Sequence, residues 1–230
     1  MEESMSKYLA IAILLLSGCA SHYYRANYDF GLANVSRSGN ADNKYGEKAI
    51  MEGGKENKKG YFYEDKVVKI LWLPSARDID FTITNKTDSS IQIVWDEAAY
   101  VDESNKSHRV IHSGVKFNDR NTSQPPSIIA AKGSLDDNIS SADSWYFVSY
   151  DEQTIYKPMG WNQNPMFPDY QNRGSTLMVI GGKPQETNFP SRVKSYIGKQ
   201  VKVVLPIKIQ GEITEYTFAF NIKGVEVVDQ

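Results

Sequence analysis

An antiparallel all-β sandwich, immunoglobulin-like in the broad sense, is the fold class this 230-residue sequence predicts, with a closed β-barrel as the alternative. Three observations predict it. In Ile79-Asp80-Phe81-Thr82-Ile83-Thr84-Asn85 apolar and polar residues alternate strictly, the period of a strand with one buried face. Val201, Val203, Leu205, Ile207 and Ile209 repeat that pattern, and Tyr216, Phe218, Phe220 and Ile222 repeat it again beyond Gln210-Gly211, which carries hairpin-turn chemistry. The 14 tyrosines outnumber the 9 phenylalanines and 4 tryptophans together, and aromatic side chains suit a pleated, half-buried surface. Roughly eight to ten short strands between turn signals fit two stacked sheets. No tandem repeat points to a propeller or solenoid.

In chain order, residues 20 to about 60 are rich in Ser, Asn, Gly, Lys and Tyr without a sustained period. They end in Gly53-Gly54-Lys55-Glu56-Asn57-Lys58-Lys59-Gly60. Such composition buries too little apolar area to offset chain entropy, so the segment reads as a tether with a loop. Tyr23 and Tyr24 suit either membrane headgroups or the domain surface. Val67 to Leu73 is a nearly continuous apolar run that Pro74 stops, as in a strand buried on both faces. Ile79 to Asn85 and Ile91 to Trp95 flank the turn Asn85-Lys86-Thr87-Asp88 and read as a β-hairpin. Shorter strands are expected over Ala98 to Val101, Ser107 to Ser113, Ser127 to Ala130 and Trp145 to Tyr150.

Residues 151 to about 175 carry Pro158, Gly160, Pro165 and Pro168 among Tyr156, Met159, Trp161, Met166, Phe167 and Tyr170, a mixture that predicts a long irregular loop. Its aromatics either form a functional surface or cap an open end of the core. Thr176 to Ile180 is a short strand ending at Gly181-Gly182. Ser191 to Ile197 is a brief helix capped by Ser191 and stopped by Gly198.

Leu16-Ser17-Gly18-Cys19, directly after the apolar run Leu9 to Leu16, resembles the lipobox of bacterial lipoproteins. The run is shorter than the roughly 20 residues a spanning helix needs, and it fits a signal-peptide core before a small-residue cleavage site. Lys7 supplies the positive flank. Glu2 and Glu3 oppose it, which makes Met5 the expected native start. The resemblance implies a signal peptide over 1–18 and a diacylglyceryl thioether on Cys19. A further acyl chain is expected on its amine, giving an anchor of two or three chains that holds against washing. It also implies a lipidated tether over 19–60 and a β-sandwich domain over 61–230. Ala20 follows the cysteine where Asp marks inner-membrane retention, so the bacterial outer membrane is the expected address. Residues 61 to 168 are also similar to uncharacterised envelope lipoproteins with a β-rich domain, on Val94-Trp95-Asp96-Glu97, His112 to Arg120 and Gln124-Pro125-Pro126. That likeness carries no functional residue.

Removing residues 1–18 leaves 212 residues with 25 basic against 26 acidic side chains, a balance of −1. A near-neutral chain without a basic block lacks the electrostatic footprint of nucleic-acid binding. Cys19 is the one cysteine, so no intramolecular disulfide staples the fold.

His108 and His112 stand four apart, a spacing that suits one metal only on a helix. On a strand they lie about 13 Å apart, and no metal is expected. Ser113-Gly114 after His112 lacks the G-x-S-x-G context of a hydrolase nucleophile. Asp96 and Glu97, Asp102 and Glu103, and Asp136 and Asp137 read as solvated loop carboxylates. Asp119 and Arg120 beside Pro125-Pro126 read as an ion pair that orders a loop. Gly181-Gly182-Lys183 lacks the spacing of a phosphate loop.

The expectation is a non-enzymatic, lipid-anchored envelope protein that binds or scaffolds another envelope component without a cofactor. Its partners are the membrane, through Cys19, and an envelope protein or the cell wall. Trp161, Met166 and Phe167 are the expected contact patch, because Trp and other aromatics dominate interface hot spots. The alternatives are an envelope hydrolase or metal-dependent enzyme whose histidines and carboxylates converge in space, and a small-ligand carrier with an enclosed apolar pocket.

Overall fold

The computed structural model describes residues 21–55, 58–154, 157–175 and 187–230. Cys19, the strand expected over Thr176 to Ile180 and the Gly181-Gly182-Lys183 turn lie outside the described residues. The strands are β1 (Ser21–Arg37), β2 (Ala49–Lys55), β3 (Lys58–Glu64), β4 (Val68–Pro74), β5 (Ile79–Asn85), β6 (Ile91–Ile93), β7 (Ala99–Val101) and β8 (Ser107–Ile111). They continue as β9 (Ser127–Ile129), β10 (Ser134–Ser141), β11 (Trp145–Val148), β12 (Gly160–Gln163), β13 (Tyr170–Ser175), β14 (Gln200–Ile209) and β15 (Glu212–Asp229). Two short helices, α1 (Ala41–Tyr45) and α2 (Phe189–Lys194), complete the fold.

The chain is all-β and antiparallel. Eleven strands run in the order β13, β1, β15, β14, β7, β8, β10, β5, β4, β3, β2, while β6 and β9 attach beside β14. The sheet curls into a half-barrel. The turn between its two layers is the narrow β8–β10 junction, where Ile111 pairs with Ser140 and Val110 with Ser141. One layer is β13 to β8 and the other is β10 to β2. The two end strands are not paired with each other among the described residues, so the expected sandwich stands open along one side. Side chains close that side: the Tyr61 hydroxyl donates to the Phe30 carbonyl, Lys59 meets Asp29 at 2.9 Å and Lys223 meets Glu52 at 2.8 Å.

Between the layers, the inward residues of β4, β5, β14 and β15 interlock. Trp72 packs 4.7 Å from Phe218 and 5.0 Å from Phe81, ring centre to ring centre. Tyr63 meets Phe218 edge-on at 5.3 Å. Each such ring, fully removed from water, contributes roughly 1.5–3 kcal/mol.

The expected tether is corrected by β1. Ala26, Phe30, Leu32 and Val35 are buried, and β1 pairs with β15 from Tyr24 opposite Asp229 to Arg37 opposite Tyr216. The register shifts between Asp29 and Phe30 and again between Leu32 and Asn34. These bulges interrupt the period of two, which is why the strand is hard to read in the sequence. The domain therefore includes β1, well before residue 61.

Two other expectations change. The Ile79–Asn85 and Ile91–Trp95 segments do not form a hairpin: β5 pairs with β4 and β10, while β6 crosses to the other layer to pair with β14 and β9. Buried Asn85 holds that crossing, its amide donating to Ser89 O at 2.7 Å and Ala130 O at 2.9 Å. The irregular loop over 151–175 contains β12, which pairs with β11 in a separate hairpin, and β13, which pairs with β1. The β14–β15 hairpin forms as expected, with Gln210 and Gly211 both at positive φ. Helix α2 begins at Phe189 after Asn188, two residues before the expected Ser191, and Gly198 at φ 85° follows it.

Candidate functional site, a groove on the outer face of the second layer

Alternation in β5 sends Ile79, Phe81 and Ile83 into the core and leaves Asp80, Thr82 and Thr84 half-exposed on the outer face. The ladders set their neighbours. Asn138, Asp136 and Ser134 of β10 stand opposite Asp80, Thr82 and Thr84, and Leu73, Leu71 and Lys69 of β4 stand on the other flank. Phe62 of β3 lies opposite Leu71. Three adjoining cavities cross this face. The first, about 250 Å³, is lined by Lys55, Phe62, Lys69, Leu71, Thr82 and Thr84. The second, about 330 Å³, shares Lys55 and Thr82 with it and adds Leu73, Asp80, Asp136 and Asn138. The third, about 210 Å³, shares Ser113 and Asn138 with the second and runs under Phe117 and Trp145 beside Asp78, His112 and Gln163. Together they form one groove with an apolar end, a hydroxyl and carboxylate middle, and an aromatic end.

The aromatic end is the β11–β12 hairpin. Phe147 pairs with Trp161 and Trp145 with Gln163, so these four share one face. Phe117 stacks on Trp145 at 4.1 Å, and the Arg120 guanidinium lies 4.8 Å over the Trp161 ring. Arg120 also donates to the Phe117 carbonyl at 3.0 Å, so its role is to hold this aromatic stack rather than to form the expected pair with Asp119.

His112 lines the third cavity. Its ring stacks on Trp95 at 4.0 Å, nearly parallel, and its Nδ1 lies 3.1 Å from Asp137 Oδ2. The other oxygen of Asp137 accepts the Ser113 and Asn138 amides, both at 2.8 Å. The His112 side chain is only 10% exposed, and its Nε2 has no hydrogen-bond partner. Asp137 and His112 supply the acid and base part of a nucleophile triad, without a hydroxyl on Nε2 to complete it.

His108 stands apart, with Nε2 3.0 Å from Asp102 and Nδ1 3.1 Å from Asp143. The two histidines thus serve separate carboxylates, and no group of three His, Cys, Asp or Glu side chains among the described residues could hold a metal ion. The hydrogen bond to Asp102 raises the His108 imidazole above its ordinary 6.5, against a smaller opposing effect of burial. Burial pushes the Asp102 carboxyl up, but the hydrogen bonds from His108 and from the Lys106 and Ser104 amides outweigh it and hold the group below 3.8. The His108 contribution to stability is therefore full below 6.5 and is lost as pH rises through the raised value. The Asp102 contribution is full above 3.8 and is lost as pH falls through the lowered value. His108→Gln is expected to cost about 1 kcal/mol near pH ~5.5, the gap to wild type closing toward alkaline pH in urea titrations.

The expected contact patch is not one surface. Phe167 is fully buried, wedged among Tyr28, Phe30 and Tyr196 at 5.3–5.8 Å. Met166 packs against the same core, and half-buried Trp161 belongs to the hairpin. Phe167 and Met166 thus belong to the core packing. The exposed aromatics here are Phe147 and Tyr150, with Met159 beside them. The other carboxylates are mostly turn-holders: Asp96 binds Arg109, Ser123 and the Gln124 amide. Asp136 and Asp137 sit on β10 instead of a loop.

The chain matches no family model, no curated protein and no solved structure. Among the described residues no helix is long and apolar enough to cross a membrane.

Proposed function

We propose that this protein is a lipid-anchored, non-catalytic binding module of the bacterial envelope, held at Cys19, which engages another envelope component along the outer groove. The observation that carries this reading is the continuity of three cavities across one sheet face, from Phe62 to Trp145. Among the described residues Trp72, Trp95, Phe218 and Phe220 pack the interior between the layers. Cys19 lies only two residues before β1, so an acyl anchor there keeps the domain at the bilayer surface. Exposed Arg25 and Tyr170, with the Tyr23 ring tilted against Tyr170 at 5.3 Å, support an orientation with this end toward headgroups, where amphipathic side chains favour the interface.

Two measurements test the reading. Cys19→Ala is expected to move the protein from the detergent-extracted membrane fraction to the soluble fraction; retention in the membrane would refute the anchor. A photocrosslinking amino acid in place of Ser134, exposed on the same face beside the groove, is expected to give covalent adducts in intact cells, whereas the same amino acid at Lys208, on β14 of the opposite layer, gives none. Equal labelling, or none, at both positions would refute the groove.

A further inference from the structure

We infer that the groove holds an uncharged glycan chain, several sugar rings long, lying across the strands. This rests on the binding-module reading and names its ligand class.

The floor is made only of side chains. β4 and β5 are each paired on both sides, so their backbone groups are already satisfied and the floor offers no free strand edge to a peptide. Recognition must use what stands up from the face, and two kinds of group do. Phe62, Leu71 and Leu73 at one end and Phe117 and Trp145 at the other supply apolar faces. Thr82, Thr84, Asp80, Asp136 and Asn138 between them supply oxygens and an amide. A pyranose ring presents the same combination: C–H faces that pack on apolar surface and hydroxyls that donate to carboxylates.

Charge narrows the class. Asp78, Asp80 and Asp136 face Lys55 and Lys69 in the lining, so the surface is net acidic and repels polyanions, including phosphorylated or uronic chains. Length agrees as well. Strands β3, β4, β5 and β10 span about 14 Å at ~4.8 Å each, before the hairpin cavity extends the groove further, which suits a chain better than a single ring. His112 is an independent sign of a missing partner: its buried Nε2 is unsatisfied in the wall of the hairpin cavity, and such groups ordinarily find one.

The test is calorimetric titration of the full chain in detergent with the uncharged chito-, cello- and malto-oligosaccharides. At least one series is expected to bind, with affinity rising with chain length. Trp145→Ala and Asp136→Ala are each expected to weaken it by at least about tenfold. Ser113→Trp, on the exposed turn that joins two of the cavities, should block binding without lowering the melting temperature. Should Trp145→Ala not fold, the exposed Asp136 and Ser113 variants decide the matter alone.

Absence of binding by every series overturns the glycan, as does binding that all three variants leave intact, or selective binding of an oligolysine peptide. Cellular adducts at Ser134 alongside silent sugars would discard the glycan and keep the binding module. Absence of adducts at Ser134 removes the binding-module reading itself.

Discussion

Asp65→Asn is expected to lower the unfolding free energy by about 3–5 kcal/mol, because it removes the buried carboxylate on which five donors converge and leaves the Arg37 guanidinium with only the largely exposed Asp42 as its counter-charge. Asp65 lies in the turn between β3 and β4, fully out of solvent, and its two oxygens are saturated. One accepts from the Val67 and Val68 amides at 2.8 and 2.9 Å. The other accepts from Arg37 Nη1 at 3.0 Å, the Tyr63 hydroxyl at 2.8 Å and the Tyr216 hydroxyl at 3.1 Å. Arg37, with 1% of its side chain exposed, also reaches Asp42 at 2.6 Å and the Gly46 carbonyl at 2.7 Å.

These residues come from both layers, Arg37 from β1 and Tyr216 from β15 on one side, Tyr63 and Asp65 from the other. The cluster therefore clasps the open side of the half-barrel. An asparagine keeps the volume but turns an NH₂ toward donors. The expected readout is a lower urea midpoint with an unchanged slope. Replacing Arg37 and Asp65 together by Met and Leu should recover part of the loss, since a well-packed apolar pair costs less than a buried guanidinium without Asp65. A loss below about 1 kcal/mol for Asp65→Asn, the range of an exposed pair, would contradict the clasp.

Trp72→Ala is expected to cost about 3–5 kcal/mol, the range for emptying a fully buried large side chain. Trp72 is the β4 side chain that joins the layers, touching Phe81 beside it and Phe218 and Phe220 across the core. Trp72→Phe separates packing from polarity. The indole Nε1 is buried without a partner, and an unmade hydrogen bond costs about 1–3 kcal/mol. Removing that N–H offsets part of the lost volume. Trp72→Phe should therefore lose no more than about 2 kcal/mol, and circular dichroism during urea unfolding measures both variants. Equal losses for the two would mean that the ring is not the element holding the layers together.

How far the sequence reveals this fold depends on where its periodicity survives. β5, β14 and β15 keep one buried face without interruption, and their alternation reads directly. β1 carries two bulges and sparse apolar residues, so its phase is lost and the segment resembles a tether. β10 hides for another reason. Asp137 occupies an inward position between Leu135 and Ile139, held there by His112, and an inward carboxylate looks like a loop residue. Periodicity also gives the face of a strand and not its neighbour, which is why Ile91–Ile93 pairs across the molecule rather than with β5.

The site follows the same logic. The outward residues Asp80, Thr82 and Thr84 are legible as the polar half of an alternation, but their assembly with Phe62, Asp136 and Trp145 is set by sheet order. Loop aromatics draw attention in a sequence, yet Phe167 serves the core. The Arg37–Asp65 clasp joins residues from different layers and leaves no local signal.

The half-barrel, with the clasp that joins its two layers through Arg37, requires that β1 is an integral strand. Hydrogen exchange of the amides in Ser21–Arg37 tests this most directly. Phe30, Leu32 and Val35, paired along β15, are expected to exchange as slowly as Val203 and Leu205 of β14. Exchange of that segment within seconds, at the rate of an unprotected chain, would return β1 to the status of a tether and contradict the half-barrel architecture.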